Sequence, residues 1–349
     1  MWTEGVADVR DRAPGRLPEG GLDELLGRAL AYLDGREELL TRRIASGWIR
    51  DGHGDLLADD VYCLPDGPRL LDCLAFADRL RHGDVLLDIA FLAMDLEARG
   101  HTGLARVLLR EWSARLGEEH PRSLEHHYVA YRAHVRSKVA CLRAEQGDRE
   151  AAREARRLHA LALRHLDAGR VRLVLVGGAP GTGKSTVAEA LAHGRGWPVE
   201  HSDAVRKDIV GLPPEPGPAS GFQEGPYAPG VTDAVYRRLL ERAKRRLALG
   251  EPVILDASWT DPAHRAAARR LAARRSADLV EIECSAPLEV AMERIRARRE
   301  AGIGPSDATP ELARRMAERR RGVETARPLD THRSLESVVS DALRAVGPA

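Results

Sequence analysis

The run VRLVLVGGAPGTGKSTVAEAL at residues 171–191 restricts this chain more than any other feature. A hydrophobic stretch ends at Val176, Gly178 to Ser185 spell GxxxxGKS, and a helical pattern follows. Strand, glycine-rich turn and helix, in that order, are the setting in which this motif cradles phosphate. Gly178, Gly181 and Gly183 let the backbone turn its N–H groups inward without Cβ clashes. The helix beginning near Lys184 adds the positive end of its dipole. Ala179, Pro180, Thr182 and Thr186 complete the candidate nucleotide-binding cradle. Lys184 is placed to reach β- and γ-phosphates as a point charge, and Ser185 to offer its hydroxyl to Mg2+. Composition sharpens the point. Of 54 basic residues only four are lysines (Lys138, Lys184, Lys207 and Lys244), so a lysine is an unusual choice here.

Around the motif, strand and helix patterns alternate. Strands are expected at Val171–Val176, Val199–Ser202, Val253–Asp256 and Leu279–Cys284, with helices at about 185–193, 232–249, 261–274, 287–299 and 309–321. Such alternation predicts an α/β fold with a parallel sheet covered by helices. Residues 211–230 hold six Pro and five Gly and read as a surface loop, either over a site or inert.

The first half reads differently. Residues 1–20, rich in Pro, Gly, Asp and Arg, suggest a loose, disordered tail. Leu22, Leu25, Leu26, Leu30 and Leu33 give residues 21–45 a helical stripe. Residues 47–75 suggest two short strands around a Pro-Asp-Gly-Pro turn. Helices return over 84–166, the last of them, 149–166, linking the halves. A chain of 349 residues carries a prior of two domains. They are expected at 21–166, mostly helical, and 170–349.

Several classes are set aside. Net charge is +1, which gives no global reason for nucleic-acid or membrane-surface binding. No run of 18 apolar residues is present, and the opening residues lack the apolar core of a signal peptide. A cytoplasmic protein is the expectation. Cys63, Cys73, Cys141 and Cys284 lie far apart with no CxxC pair, which excludes a zinc ribbon and favours reduced thiols.

Further candidates sit at strand ends, where open α/β sheets bind ligands. In HSDAVRK, Asp203 could accept a proton from an attacking hydroxyl or orient it; the alternative is a helix cap. Arg206, one turn on, could hold an anionic group. In VILDASW, Asp256 could partner Ser185 through Mg2+, or serve as a turn residue. Arg294 and Arg298 share a helix face at i, i+4 and could close over phosphates to stabilise transition-state charge, or be ordinary surface charge.

On GGAPGTGKST, HSDAVRK, VILDASW, the RxxxR helix and PLDT near Asp330, residues 170–345 resemble the P-loop kinases that include polynucleotide, zeta-toxin and gluconate-type kinases. The resemblance implies a five-stranded core, an acceptor-orienting Asp at position 203 and a mobile arginine lid. The stretch from Asp51 to Gly100 resembles the C-terminal lobe of aminoglycoside-phosphotransferase-like kinases. By that likeness Asp55 is the catalytic-loop Asp, Asp60 stands where the family has a metal-binding Asn, and Asp72 where it has the second metal-binding Asp. Only 52 residues precede His53, and no glycine-rich loop or lysine occurs among them. A truncated, kinase-like lobe is therefore expected. The order of the two halves, over roughly 47–345, is similar to that of fused aminoglycoside-phosphotransferase-like and AAA-type ATP-binding proteins.

The leading expectation is an ATP- and Mg2+-dependent kinase acting on a hydroxyl of a small molecule or nucleotide. Lys184, Asp203, Arg206, Arg294 and Arg298 would do the chemistry, and Ser185 and Asp256 would hold the metal. Two alternatives stay open: a non-transferring ATPase or nucleotide-gated switch, and a polynucleotide 5′-hydroxyl kinase. The last needs a basic stripe, for which the nine arginines between Met292 and Arg321 are the candidate.

Overall fold

The computed structural model describes residues 1–213, 225–301, 309–319 and 325–347. The chain divides into two compact units, Met1–Arg170 and Val171–Ala349.

The first unit is mostly helical: α1 (Trp2–Arg12), α2 (Gly21–Asp34), α3 (Glu37–Ala45), β1 (Ile49–Asp51), β2 (Val61–Leu64), β3 (Gly67–Leu70), α4 (Asp78–Arg81), β4 (His82–Asp84), α5 (Val85–Ala98), α6 (Thr102–Leu116), α7 (Arg122–Glu145) and α8 (Arg149–Ala168). Its spine is the hairpin of α7 and α8. Gly147, at φ +101°, makes the left-handed turn between them, and the Asp148 carboxylate accepts the amides of Glu150 and Ala151 to cap α8. Against α7 packs α5, burying Leu86, Ala90, Phe91 and Met94. The segment 149–166, expected as a linking helix, thus belongs to this unit's own core: α8 buries Ala151, Ala155, Leu158 and Ala162. β2 and β3 form the expected hairpin, with Leu64 opposite Gly67 across the Pro65–Asp66 turn. β1 pairs antiparallel with β4.

The opening segment departs from expectation. Residues 2–12 are helical rather than a loose tail, because Trp2, Val6 and Val9 fall on one face at i, i+4, i+7 and are buried. Trp2 stacks on His134 and meets His127 and Tyr131 edge-on.

The second unit runs β5 (Arg172–Gly178), α9 (Lys184–Arg195), β6 (Val199–His201), α10 (Ser202–Val210), α11 (Pro229–Ala248), β7 (Val253–Asp256), α12 (Pro262–Arg274), β8 (Asp278–Ser285), α13 (Leu288–Glu300), α14 (Pro310–Arg319), β9 (Arg327–Asp330) and α15 (Leu335–Val346). Its strands form one parallel five-stranded sheet in the order β6-β7-β5-β8-β9. All seven residues of β5 are buried, as a strand covered on both faces requires. From β5 the chain goes first to one side of the sheet and later to the other. The crevice beyond its carboxyl end is therefore the place where such sheets take ligands. Val187, Ala188 and Leu191 of α9 pack with Val338, Ala342 and Val346 of α15 in the core under Val174 and Val176.

Boundaries shift by a residue or two: Ser202 starts α10 instead of ending β6. α11 begins at Pro229, and of the proline-rich loop residues 214–224 lie outside the described residues. The last two residues of the helix expected at 309–321 also lie outside them. Among the described residues no helix is long and apolar enough to cross a membrane.

Candidate functional site

The turn after β5 depends on its glycines. Gly178, Gly181 and Gly183 have φ of +147°, +79° and +79°, backbone that other residues rarely adopt. Space is also closed. A Cβ on Gly178 would sit 2.4 Å from Thr182 Oγ1 and 2.6 Å from the Cys284 carbonyl oxygen. One on Gly181 would sit 2.3 Å from the Ala291 carbonyl oxygen. Gly183 is the N-cap of α9, so Lys184 and Ser185 open the helix and share its unpaired amides. Lys184 folds back across the turn, its Nζ donating to Ala179 O at 3.1 Å, while Thr182 Oγ1 donates to the same carbonyl at 2.8 Å.

Asp256, at the end of β7, joins this turn to the neighbouring strand. Its Oδ2 accepts from Ser185 Oγ at 2.7 Å and from His201 Nδ1 at 2.8 Å. Its Oδ1 is buried with no partner among the described residues. Burial pushes the Asp256 carboxyl up. The His201 hydrogen bond, the Lys184 charge and the Ser185 hydroxyl outweigh it and hold the group below its ordinary value. His201 Nε2 lies 2.8 Å from Glu189 Oε1, so each ring nitrogen faces a carboxylate. The Asp256 hydrogen bond leads in raising the imidazole to about 9. A buried carboxylate oxygen without a donor, next to a serine hydroxyl, is a set of hard oxygen atoms, which fits Mg2+.

The expected acceptor side is less tightly drawn. Asp203 lies half-buried in the first turn of α10. Arg206 is buried, with Nη1 donating to Thr232 Oγ1 at 3.4 Å and its guanidinium 4.7 Å from the Tyr227 ring. Beyond Asp256, Trp259 adopts φ +50°, a left-handed conformation that is costly for a bulky residue. Tyr236 holds it there: Tyr236 Oη accepts the Trp259 amide at 3.0 Å, lies 3.0 Å from Ser258 Oγ, and its ring stacks on His264.

Of the two lid candidates, Arg294 reaches the phosphate turn. Its Nη2 and Nη1 donate to Thr331 O at 2.9 Å and Thr331 Oγ1 at 3.3 Å. Thr331 Oγ1 in turn donates to Thr182 O at 2.8 Å, so one threonine ties the turn to α13. Arg298, one turn along, keeps Nε and Nη2 buried with no partner among the described residues. The proposed basic stripe is partly spent on local pairs: Arg315 and Arg314 face Glu311 at 3.0 and 3.7 Å. Arg320 and Arg321 lie outside the described residues.

His201 and Thr331 carry no role in the sequence reading. Each stands inside a quoted motif, HSDAVRK and PLDT, but their partners are 55 and 149 residues away. In the first unit, Asp55 is raised by burial against the opposing charges of Arg136 and Arg132, Asp60 accepts the Leu57 amide, and Asp72 sits at φ +64°. Among the described residues no group of three or more His, Cys, Asp or Glu is arranged to hold a metal ion, so the metal reading of Asp55, Asp60 and Asp72 gains no support.

Residues 173–323 match the family described as an AAA domain. Over 341 residues the chain is 42% identical to the uncharacterized protein Rv2004c of Mycobacterium tuberculosis, and equally to Mb2027c of Mycobacterium bovis, covering 98% of this chain and 68% of theirs. The chain belongs to the family of these mycobacterial proteins. Among solved structures, a gluconokinase from Sinorhizobium meliloti is 22% identical with a TM-score of 0.36, covering 50% of this chain and 91% of that one. The APS kinase of Mycobacterium tuberculosis in complex with AMPPNP and APS is 22% identical with a TM-score of 0.38, covering 51% and 98%.

Proposed function

We propose that the second unit binds ATP with Mg2+ and transfers the γ-phosphoryl to a hydroxyl of a small molecule or nucleotide. One observation carries the reading. The glycine turn, with Lys184 and Ser185 at the start of α9, is coupled through the 2.7 Å Ser185–Asp256 bond to a carboxylate whose second oxygen is buried and unpaired. That is the arrangement a triphosphate and its metal require.

In this reading the turn amides and the α9 N-terminus hold the polyphosphate, and Lys184 swings from Ala179 O onto the β- and γ-phosphates. Ser185 and Asp256 hold Mg2+, directly or through its water. Bound there, the ion supplies positive charge to the phosphate oxygens. Asp203 orients the acceptor hydroxyl and takes its proton as the new O–P bond forms and the bond from Pγ to the β-phosphate oxygen breaks, releasing ADP. Arg206 meets an anionic part of the acceptor. Arg294 and Arg298 neutralise charge on the transferring group.

The test is a panel of hydroxylated acceptors with γ-labelled ATP. Wild type should label at least one acceptor, and Lys184→Ala none. Asp203→Asn should keep ATP affinity and lose transfer. ATP consumption with no labelled acceptor would replace this reading with a non-transferring ATPase, and absence of ATP binding would end both.

A further inference from the structure

The first unit carries an open pocket of about 480 Å³ that none of the chemistry above uses. Pockets of this volume are of the size that takes small molecules. Its lining is mostly apolar, including Leu33, Leu40, Ile49 and Val85 with the rings of Trp2 and Tyr131. Two carboxylates also line it, yet both are already compensated. Asp84 is held by the Arg43 guanidinium and accepts from Tyr128 Oη at 3.1 Å. Asp88 accepts the amides of His53 and Gly54 at 2.6 and 3.0 Å and faces Arg132 at 3.4 Å. The wall therefore presents no uncompensated negative charge.

The exposed rim is the opposite. Arg81 is tied to Asp51 at 2.6 Å, but Arg50 donates to a neutral carbonyl, Gly47 O, at 2.9 Å, and Arg79 has no ion pair among the described residues. Arg50 and Arg79, both exposed, thus line an apolar pocket and have no ion pair among the described residues. The walls favour a hydrocarbon body, since burying it removes apolar surface from water on both sides. The rim favours a single anionic head that stays near solvent, with Arg able to grip a carboxylate by two donors.

We propose that this cavity is a binding site for an amphipathic monoanion, a free alkyl-chain carboxylate, seated with its chain against Leu33, Leu40 and Trp2 and its head group between Arg50 and Arg79. A neutral ligand of the same shape would gain the chain contacts but not the rim. A cationic one would meet repulsion.

The experiment is calorimetry on the full chain with decanoate, decan-1-ol and decylammonium below their aggregation limits. Decanoate should bind at one equivalent. Decan-1-ol should bind roughly tenfold more weakly, which is what two exposed ion pairs supply together. Decylammonium should bind more weakly still. Arg50→Glu with Arg79→Glu, both at exposed positions, should remove the preference for decanoate and leave decan-1-ol unchanged. Leu33→Trp should obstruct the pocket and weaken both, with its thermal unfolding midpoint showing that it folds; if it does not fold, Leu40→Phe takes its place. No uptake of any probe by folded wild type overturns the proposal. So does equal affinity for the alcohol and the carboxylate, or a decanoate affinity unchanged in a folded, obstructed variant.

Discussion

Acid should unfold the first unit before it reaches the phosphate site, and the reason lies in the histidines of α7 and α8. His127 is stacked on Tyr32 with its Nε2 accepting from Trp2 Nε1, and burial pushes it down to about 3. His134 lies under Trp2 with neither ring nitrogen hydrogen-bonded among the described residues, and burial, then His159 and Lys138, lower it to about 4. His126, whose Nδ1 is 2.9 Å from His165 Nδ1, is lowered to about 4 by burial and by that neighbour. Folded values below 6.5 mean that the folded unit keeps these rings neutral. The stability they contribute is full above 6.5 and is lost as pH falls toward 3–4. At pH 5 the unfolded chain has gained about 1.5 pH units of protonation free energy per ring, at 1.36 kcal/mol per unit, or about 2 kcal/mol each. Three such rings give about 6 kcal/mol, comparable to the whole stability of a domain. His120, raised to about 9 against the opposing effect of burial by Glu118 and Glu125, has reached its full contribution by 6.5 and offsets nothing below it. Hydrogen exchange by mass spectrometry from pH 7 to 5, corrected for intrinsic rates, should show amides of α7 and α8 losing protection while those of β5, β7 and β8 keep it. His134→Leu should restore about 2 kcal/mol at pH 5 relative to pH 7. Protection in α7 unchanged down to pH 4.5 would refute the reasoning.

Gly181→Ala should abolish ATP binding in a titration with a fluorescent analogue, because its Cβ would lie 2.3 Å from the Ala291 carbonyl; Gly147→Ala, with open space around it, should cost the first unit only about 1–2 kcal/mol of backbone strain in urea melts. Asp256→Asn should leave metal-free nucleotide binding intact and remove most of its enhancement by Mg2+; an unchanged enhancement would take Asp256 out of the metal site. His201→Ala should weaken Mg2+-dependent nucleotide binding, and His201→Gln, which keeps a donor toward Asp256, should recover part of it. Thr331→Val should loosen α13 and raise the ATP concentration needed for half-saturation, since the hydroxyl bonds to Thr182 O and from Arg294 Nη1 are lost while the Arg294 bond to the Thr331 carbonyl remains.

What could be read from the sequence, and what could not, follows how far each feature reaches along the chain. The turn at 178–185 is a local requirement: glycine where φ is positive, a lysine and serine where a helix begins. The strand positions were legible for the same reason, since β5 and β7 are short apolar runs bounded by turn residues. The fifth strand was placed only by resemblance. β9 is four residues long, contains Pro328 and sits at the sheet edge, so no alternating pattern marks it. The opening helix was misread because Pro14, Gly15, Pro18 and Gly20 dominate the composition of residues 1–20, while its evidence was three residues, Trp2, Val6 and Val9, at helical spacing. Thr331 and His201 were silent for a deeper reason. A threonine after a strand or a histidine before a helix has no meaning until folding brings Thr182, Arg294, Asp256 or Glu189 within 3.3 Å of it. Groups that bind phosphate through the backbone are written contiguously, because the chain must bend at that spot. Groups that hold those parts in register are chosen by the sheet order β6-β7-β5, which sets the end of β6 beside the end of β7 and so sets His201 against Asp256. The same topology explains why Asp256 and not Asp203 meets Ser185: β7 and not β6 is hydrogen-bonded to β5, with Asp256 in register with Val176, two residues before the turn begins.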